Sequence, residues 1–142
     1  MKLVKIDEFK VYGHKNVRGT HKSTLEFTRE SFLTPKGDCI LGIKSEKSCE
    51  NLSARLKTLI QAGKKFLIRL SINGHQDEFT GEGNEKLNLF DKEDLVFRKS
   101  NYKCNRTCLI KCSKAAVDID REIINELQNP EGIMLVEVFS MN

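Results

Sequence analysis

The chain has no tryptophan, only two prolines, and no apolar run near the roughly 18 residues that a membrane-spanning helix needs. With proline this scarce and no low-complexity tract, collagen-like, mucin-like and disordered classes are excluded. The five cysteines, at positions 39, 49, 104, 108 and 112, are an odd number in a chain able to bury a core. That argues against a secreted disulfide framework and for reduced thiols. Met1 to Lys5 lack the apolar stretch of a signal peptide, so a cytoplasmic protein with no membrane partner is expected. The glycosylation triplets at Asn51 and Asn105 then carry no meaning.

What is present fits one domain of ordinary size: 142 residues and 16.2 kDa, long enough to bury about two-thirds of its unfolded surface. Net charge is +4, but the charge is blocked. Residues 10–22 carry Lys10, Lys15, Arg18 and Lys22 with no acid, and residues 95–114 carry Arg98, Lys99, Lys103, Arg106, Lys111 and Lys114 with none. Between them, residues 76–94 hold seven carboxylates against two lysines. Either basic strands pair with acidic ones in one solvated sheet, or the basic zones form a functional patch.

Alternation with period 2 dominates and predicts strands at Leu25/Phe27, Cys39/Leu41/Ile43, Ile68/Leu70/Ile72, Leu87/Leu89, Leu95/Phe97 and Cys108/Ile110/Cys112. Two stretches read as helices. Leu52, Leu56, Leu59 and Ile60 share a face between the cap Ser53 and the stop Gly63, and Ile119, Ile123, Ile124 and Leu127 share one between Asp120 and Asn129-Pro130. Ile43-Lys44-Ser45-Glu46-Lys47-Ser48 aligns with Ile110-Lys111-Cys112-Ser113-Lys114-Ala115 at an offset of 67, which also pairs Ser53 with Asp120. Leu25-Glu26-Phe27 pairs with Leu95-Val96-Phe97 after a gap of three residues. The expectation is a single α+β domain over residues 1–142. It has an internal duplication (approximately 20–73 and 84–140), strand-strand-helix-strand in each half, with two helices packed on a largely antiparallel sheet.

At the junction, Asn73-Gly74 is a two-residue hairpin turn, because both central positions need positive φ. It sets Ile72 against His75, Leu70 against Asp77, Arg69 against Glu78 and Ile68 against Phe79. The face that carries Asp77 is then apolar except for Asp77 itself and His75. Asp77 is near the strand's open end, an acceptor for loop amides, or part of a site.

Three constellations bear chemistry. His14 and His21 flank Gly19, and Asp38-Cys39 opens a later strand; if the strands beginning near Thr20 and at Cys39 pair, these groups converge as acid/base and nucleophile candidates, with Asp77 assisting. A divalent metal would find two nitrogens, an oxygen and a sulfur there, yet no ligand spacing supports one and no metal site is assigned. Cys104, Cys108 and Cys112 are regularly spaced, but four residues of strand span roughly 13 Å, so they cannot chelate one ion, and Cys108 and Cys112 read as core. For phosphate, Arg98, Lys99 and Ser100 supply a guanidinium fork, an ammonium and a hydroxyl, while Lys47 and Lys114 stand at matching places ahead of the helices. Structural salt-bridging is the alternative for both lysines. Tyr12, Phe97 and Tyr102 are candidate base-stacking rings.

The run from Tyr12-Gly13-His14-Lys15 through Thr20-His21-Lys22-Ser23-Thr24-Leu25-Glu26, with Leu33-Thr34-Pro35-Lys36-Gly37-Asp38-Cys39-Ile40, resembles an archaeal family of uncharacterised proteins, domain of unknown function 371. Asp77-Glu78, Arg98-Lys99-Ser100, Arg106-Thr107 and Lys114-Ala115-Ala116-Val117-Asp118-Ile119 continue the resemblance over nearly the whole chain. It implies an archaeal, cytoplasmic, single-domain α+β protein and passes on no activity or cofactor; where the family pattern implies a His, this chain has Asn84. The leading functional expectation is a binding module for a phosphate-bearing ligand, nucleic acid or nucleotide. The alternatives are a small enzyme using the His/Asp/Cys group and an assembly or scaffold protein, with the oligomeric state open.

Overall fold

Asn73 (φ 47°) and Gly74 (φ 83°) make the tight turn between β4 (Lys65–Ile72) and β5 (His75–Glu82). The register is the one the turn dictates, with Leu70 opposite Asp77 and Arg69 opposite Glu78, whose Oε2 accepts from Arg69 Nε at 2.6 Å. The computed structural model describes residues 2–141. Its remaining strands are β1 (Leu3–Tyr12), β2 (Thr24–Thr28), β3 (Ile40–Gly42), β6 (Asp94–Arg98), β7 (Thr107–Leu109) and β8 (Ile133–Met141). The helices are α1 (Ala54–Gln61) and α2 (Arg121–Leu127), capped by the side chains of Ser53 and Asp120 at the residues expected.

Two sheets form instead of one. The first, in the order β1-β8-β4-β5, is antiparallel throughout. The second, β3-β2-β6-β7, is mixed: β2 and β6 are antiparallel, but β3 and β7 run parallel to their neighbours. Isolated bridges, Tyr12 to Ile43 and Glu82 to Ile110, stitch the sheets together at both seams. The helices pack on this framework, so the α+β class holds, with the sheet split in two.

One core fills the space between the sheets. At its centre, Phe9, Phe27, Phe97 and Phe79 form a row of edge-to-face rings at 6.0, 5.8 and 5.5 Å, each pair contributing about 1 kcal/mol beyond area burial. Cys108 and Cys112 are buried. The Leu87/Leu89 alternation is not a strand. Both side chains are buried from a loop, in which Leu89 takes a left-handed conformation (φ 58°) that no strand residue adopts.

Corresponding positions do corresponding work in the two parts of the chain. Asp7 accepts from Lys47 Nζ (2.6 Å), Glu8 N–H (2.8 Å) and Ser53 N–H (2.8 Å). Asp77 accepts from Lys114 Nζ (2.6 Å), Glu78 N–H (2.8 Å) and Asp120 N–H (2.9 Å). Each carboxylate thus ties a strand of the first sheet to a lysine and to the start of a helix. Gly13 and Gly83 lie so close to the carbonyl oxygens of Leu127 and Ile60 that a Cβ at either would collide with backbone.

Candidate functional site

Strands β2 and β6 alternate Leu25/Phe27 and Leu95/Phe97 inward, which turns Thr24, Glu26, Thr28, Asp94, Val96 and Arg98 to the opposite face. Loops cover that face. The Cys49 and Glu50 amides donate to the carbonyls of Asp94 (3.2 Å) and Asp91 (2.9 Å), and the residues leading into β3 and β7 close on it from either side. The result is a polar cluster under a lid of loop backbone, in which Thr24, Glu26 and Thr28 are all buried.

Glu26 dominates its electrostatics. Its side chain is 8% exposed; Oε1 accepts from the Cys39 thiol at 3.5 Å, and Oε2 lies 3.7 Å from Arg106 Nη1, too long for a hydrogen bond. Burial, reinforced by the nearby Asp94 carboxylate and only partly offset by Arg106, raises its pKa to about 7. Arg106 also meets Asp94 at 3.2 Å, and its side chain as a whole is 45% exposed. Asp91, Cys104, Asn105 and Arg106 line an open hollow of about 420 Å³ beside it.

Cys104 differs from the other thiols. Arg98 Nη2 donates to its Sγ at 3.4 Å, Thr107 Oγ1 lies at 3.5 Å, and Thr107 is itself held by Arg98 Nε at 2.9 Å. Burial pulls its pKa upward, but the Thr107, Arg106 backbone and Arg98 donors outweigh that and bring it down to about 7. Burial pushes Cys39 and Cys112 up to about 12 and likewise raises Cys49 and Cys108.

The residues singled out from the sequence divide between frame and surface. His14 Nδ1 accepts the Asn16 N–H (3.0 Å), and His21 Nδ1 accepts those of Ser23 (3.2 Å) and Thr24 (3.1 Å), so both imidazoles close turns. In the second part of the chain, Asn84 and Asp91 do the same for Lys86, and for Glu93 and Asp94. Asp38 meets His21 through backbone, its carbonyl accepting the His21 N–H at 3.3 Å. Cys39 turns to Glu26. Among the described residues no side-chain hydrogen bond joins His14, His21, Asp38 and Cys39 to one another, nor do groups of three or more His, Cys, Asp and Glu cluster as metal ligands. Asp77, Lys47 and Lys114 belong to the strand-to-helix ties. Burial opposes ionisation of Asp77, but the Lys114 ammonium and the Asp120 and Glu78 amides outweigh it, and its pKa falls below the usual carboxylate value. On the surface, Arg98 lies over the Tyr102 ring at 4.8 Å, Lys99 pairs with Asp118 at 3.4 Å, and Ser100 Oγ accepts the Tyr102 N–H at 3.2 Å.

Sequence reasoning missed Glu26, Asp94, Cys104 and Arg106 as a group. One signal was available: the aligned triplets Leu25-Glu26-Phe27 and Leu95-Val96-Phe97 agree at the inward residues and disagree at the middle one. A carboxylate stands where the partner strand keeps a valine.

The family described as Domain of unknown function (DUF371) matches residues 9–140. The chain belongs to this family. Among its relatives is the uncharacterized protein MJ0206 of the archaeon Methanocaldococcus jannaschii, 45% identical over 127 residues, which cover 89% of this chain and 93% of the relative. Neither the family description nor the relative's name states an activity. Among the described residues no helix is long and apolar enough to cross a membrane.

Proposed function

We propose that this member of the family is a cytoplasmic binding module for a phosphate-bearing ligand, nucleic acid or nucleotide, and that the surface from Arg98 to Arg106 is its contact face. The observation that carries the reading is the Arg98 guanidinium lying over the ring of Tyr102, a residue 61% exposed, an aromatic and a cation presented together. Lys103 follows Tyr102 in the same stretch, 95 to 114, which contains no acid, while Lys99 pairs with Asp118 at 3.4 Å and Arg106 with Asp94 at 3.2 Å. The acidic zone neutralises part of the basic one through Asp77–Lys114 and Asp94–Arg106, and it leaves the Arg98–Lys103 loop free of carboxylates of its own. Lys47 and Lys114 take no part, since each ammonium is held by an aspartate at 2.6 Å. Five cysteines without a disulfide among them support a reducing compartment.

The test is binding of fluorescently labelled single-stranded RNA and DNA across a salt series. Affinity is expected to fall steeply with salt, and Arg98→Ala with Lys99→Ala should weaken binding and flatten the slope by about one unit per phosphate contact removed. Absence of binding at low salt, or binding indifferent to both substitutions, overturns the reading.

A further inference from the structure

We propose that the outer face of the first sheet binds a second copy of this chain, forming a two-fold dimer with sheet packed on sheet. The inward side of that sheet is fully used. Phe66, Ile68, Leu70 and Ile72 on β4 are at most 2% exposed, and the helix starts are tied at Asp7 and Asp77, whose register partners Val138 and Leu70 point into the core. The outward side has no such cover. Loops close over the second sheet, but none of the outward residues of β1, β4, β5 and β8 is buried.

An antiparallel sheet with one face in water alternates apolar inward and polar outward along each strand. The strand β8 departs from that pattern. Its outward positions are Ile133, Leu135, Glu137, Phe139 and Met141, of which only Glu137 is charged, and Leu67 of β4 stands beside Phe139. The Arg69 guanidinium lies over the Phe139 ring at 4.7 Å. A continuous apolar stripe of this kind on an open face marks an interaction surface.

The charge on the face selects the partner. Lys5, Lys10, Lys65 and Arg69 are balanced by Glu8, Glu78, Glu82 and Glu137, so the face is neutral on a chain of net charge +4. Such a face gives no electrostatic attraction to a phosphate polymer or to a strongly charged protein, whereas two identical neutral faces meet without net repulsion. The area is also sufficient. Four strands about 4.8 Å apart, with eight residues rising about 3.3 Å each, span on the order of 500 Å² per copy, so a pair reaches the roughly 1,000 Å² that a specific interface needs.

A self-complementary patch is what an isologous dimer requires, and a two-fold axis running along the strands between β8 and β4 supplies it. The axis sets Phe139 of each copy over Leu67 of the other, and Glu137 over Arg69 in the adjacent row. It carries Ile133, 48% exposed, to the hollow of about 310 Å³ beside the Asn73-Gly74 turn of the second copy. At the margins Glu8 comes opposite Glu78, carboxylates that Lys5 and Arg69 already hold at 2.5 and 2.6 Å. Because the charges are partnered within each chain, they set the register, and burial of the apolar stripe drives association. The strands of the two sheets then run within about 30° of each other, as face-packed sheets do.

The proposed ligand face lies on the second sheet and its loops, so either reading can fail alone. The test is the mass of the full chain by sedimentation equilibrium, from about 1 to about 500 μM and from about 0.05 to about 0.5 M salt. Twice 16.2 kDa is expected at the upper concentrations, with little change across the salt series. Leu135→Glu with Phe139→Glu should weaken association about a hundredfold or more, and Ile133→Lys, at an exposed position, about tenfold. Phe90→Ser, at a 71% exposed residue in the loop before β6, should leave it unchanged. Circular dichroism checks that each variant is folded, and Ile133→Lys decides the matter alone if the double variant is not. A monomer at every concentration overturns the proposal, as does a dimer that Ile133→Lys leaves intact. A chain that stays monomeric and loses labelled RNA on the same substitutions gives the face to nucleic acid, which overturns it equally.

Discussion

The tie at Asp7 and the tie at Asp77 are the same device, whereas the outer face of β2 and the outer face of β6 are not. In each tie, one carboxylate on a strand of the first sheet receives a lysine ammonium, its neighbour's amide and an amide at the start of a helix. The wider correspondence, Phe9 with Phe79, Phe27 with Phe97, Gly13 with Gly83, extends the agreement through the core and the helix contacts. We propose that it descends from an internal duplication. On the outer face of the second sheet agreement ends: Glu26 stands against Val96, and Arg106 pairs with Glu26 and Asp94 while Arg98 donates to Cys104. Where both parts of the chain keep a feature, folding explains it; where one part alone buries a carboxylate that its counterpart replaces with valine, the fold does not require it.

Breaking the ties should produce the largest effect. Asp7→Ala strands a partly buried ammonium and a helix-start amide and is expected to lower stability by about 3–4 kcal/mol. Asp77→Ala, whose carboxylate and ammonium are more exposed (14% and 32% against 7% and 26%), should cost about 1 kcal/mol less; chemical denaturation compares them. Equal losses would mean that burial does not decide the strength of the tie. Because the folded-state pKa of Asp77 is depressed, its contribution is present above the unfolded value of 3.8 and is lost as pH falls through the folded one.

Glu26 should behave in the opposite sense. Its pKa rises on folding from 4.5 to about 7, so the folded state takes up the proton more readily, and stability falls as pH climbs between those values. Glu26→Gln should raise stability at pH 8 by up to about 3 kcal/mol and flatten the profile between pH 5 and 7, as followed by thermal unfolding. A destabilised Gln variant would show Glu26 to be a structural partner of Arg106, and the contrast between the two outer faces would lose its force.

Smaller still, Gly83→Ala and Gly13→Ala each put a Cβ onto a helix-end carbonyl and should cost about 2 kcal/mol apiece, by the same measurement. A marked inequality would mean that the helices dock differently. Asn73→Ala retains the hairpin at a loss of about 1 kcal/mol, since alanine tolerates φ 47° less well than asparagine does and the hydrogen bond to Glu126 is removed.

Much of the frame was legible because its signals are local. Asn73-Gly74 prescribes a turn, the turn prescribes a register, and the register put Arg69 beside Glu78 before any distance was known. Ser53, Gly63 and Asp120 marked helix limits by their own backbone and capping preferences. The Leu87/Leu89 alternation misled because burial of alternate residues does not require a strand once Leu89 turns left-handed. Asp7 passed unnoticed because its partner lies 40 residues away, and the sequence, which left salt-bridging open for Lys47, does not name the carboxylate.

By itself the sequence determined the class, the hairpin, the helix boundaries, the matching Lys47 and Lys114, and membership of the family, all of which rest on short-range preference or direct likeness. Only the tertiary structure decided that those lysines are bound by aspartates, that His14 and His21 close turns, and that Cys104 alone among the five cysteines is surrounded by donors. The physical reason is that charge state depends on burial and on the few ångströms between groups far apart in the chain, and neither is written in local sequence.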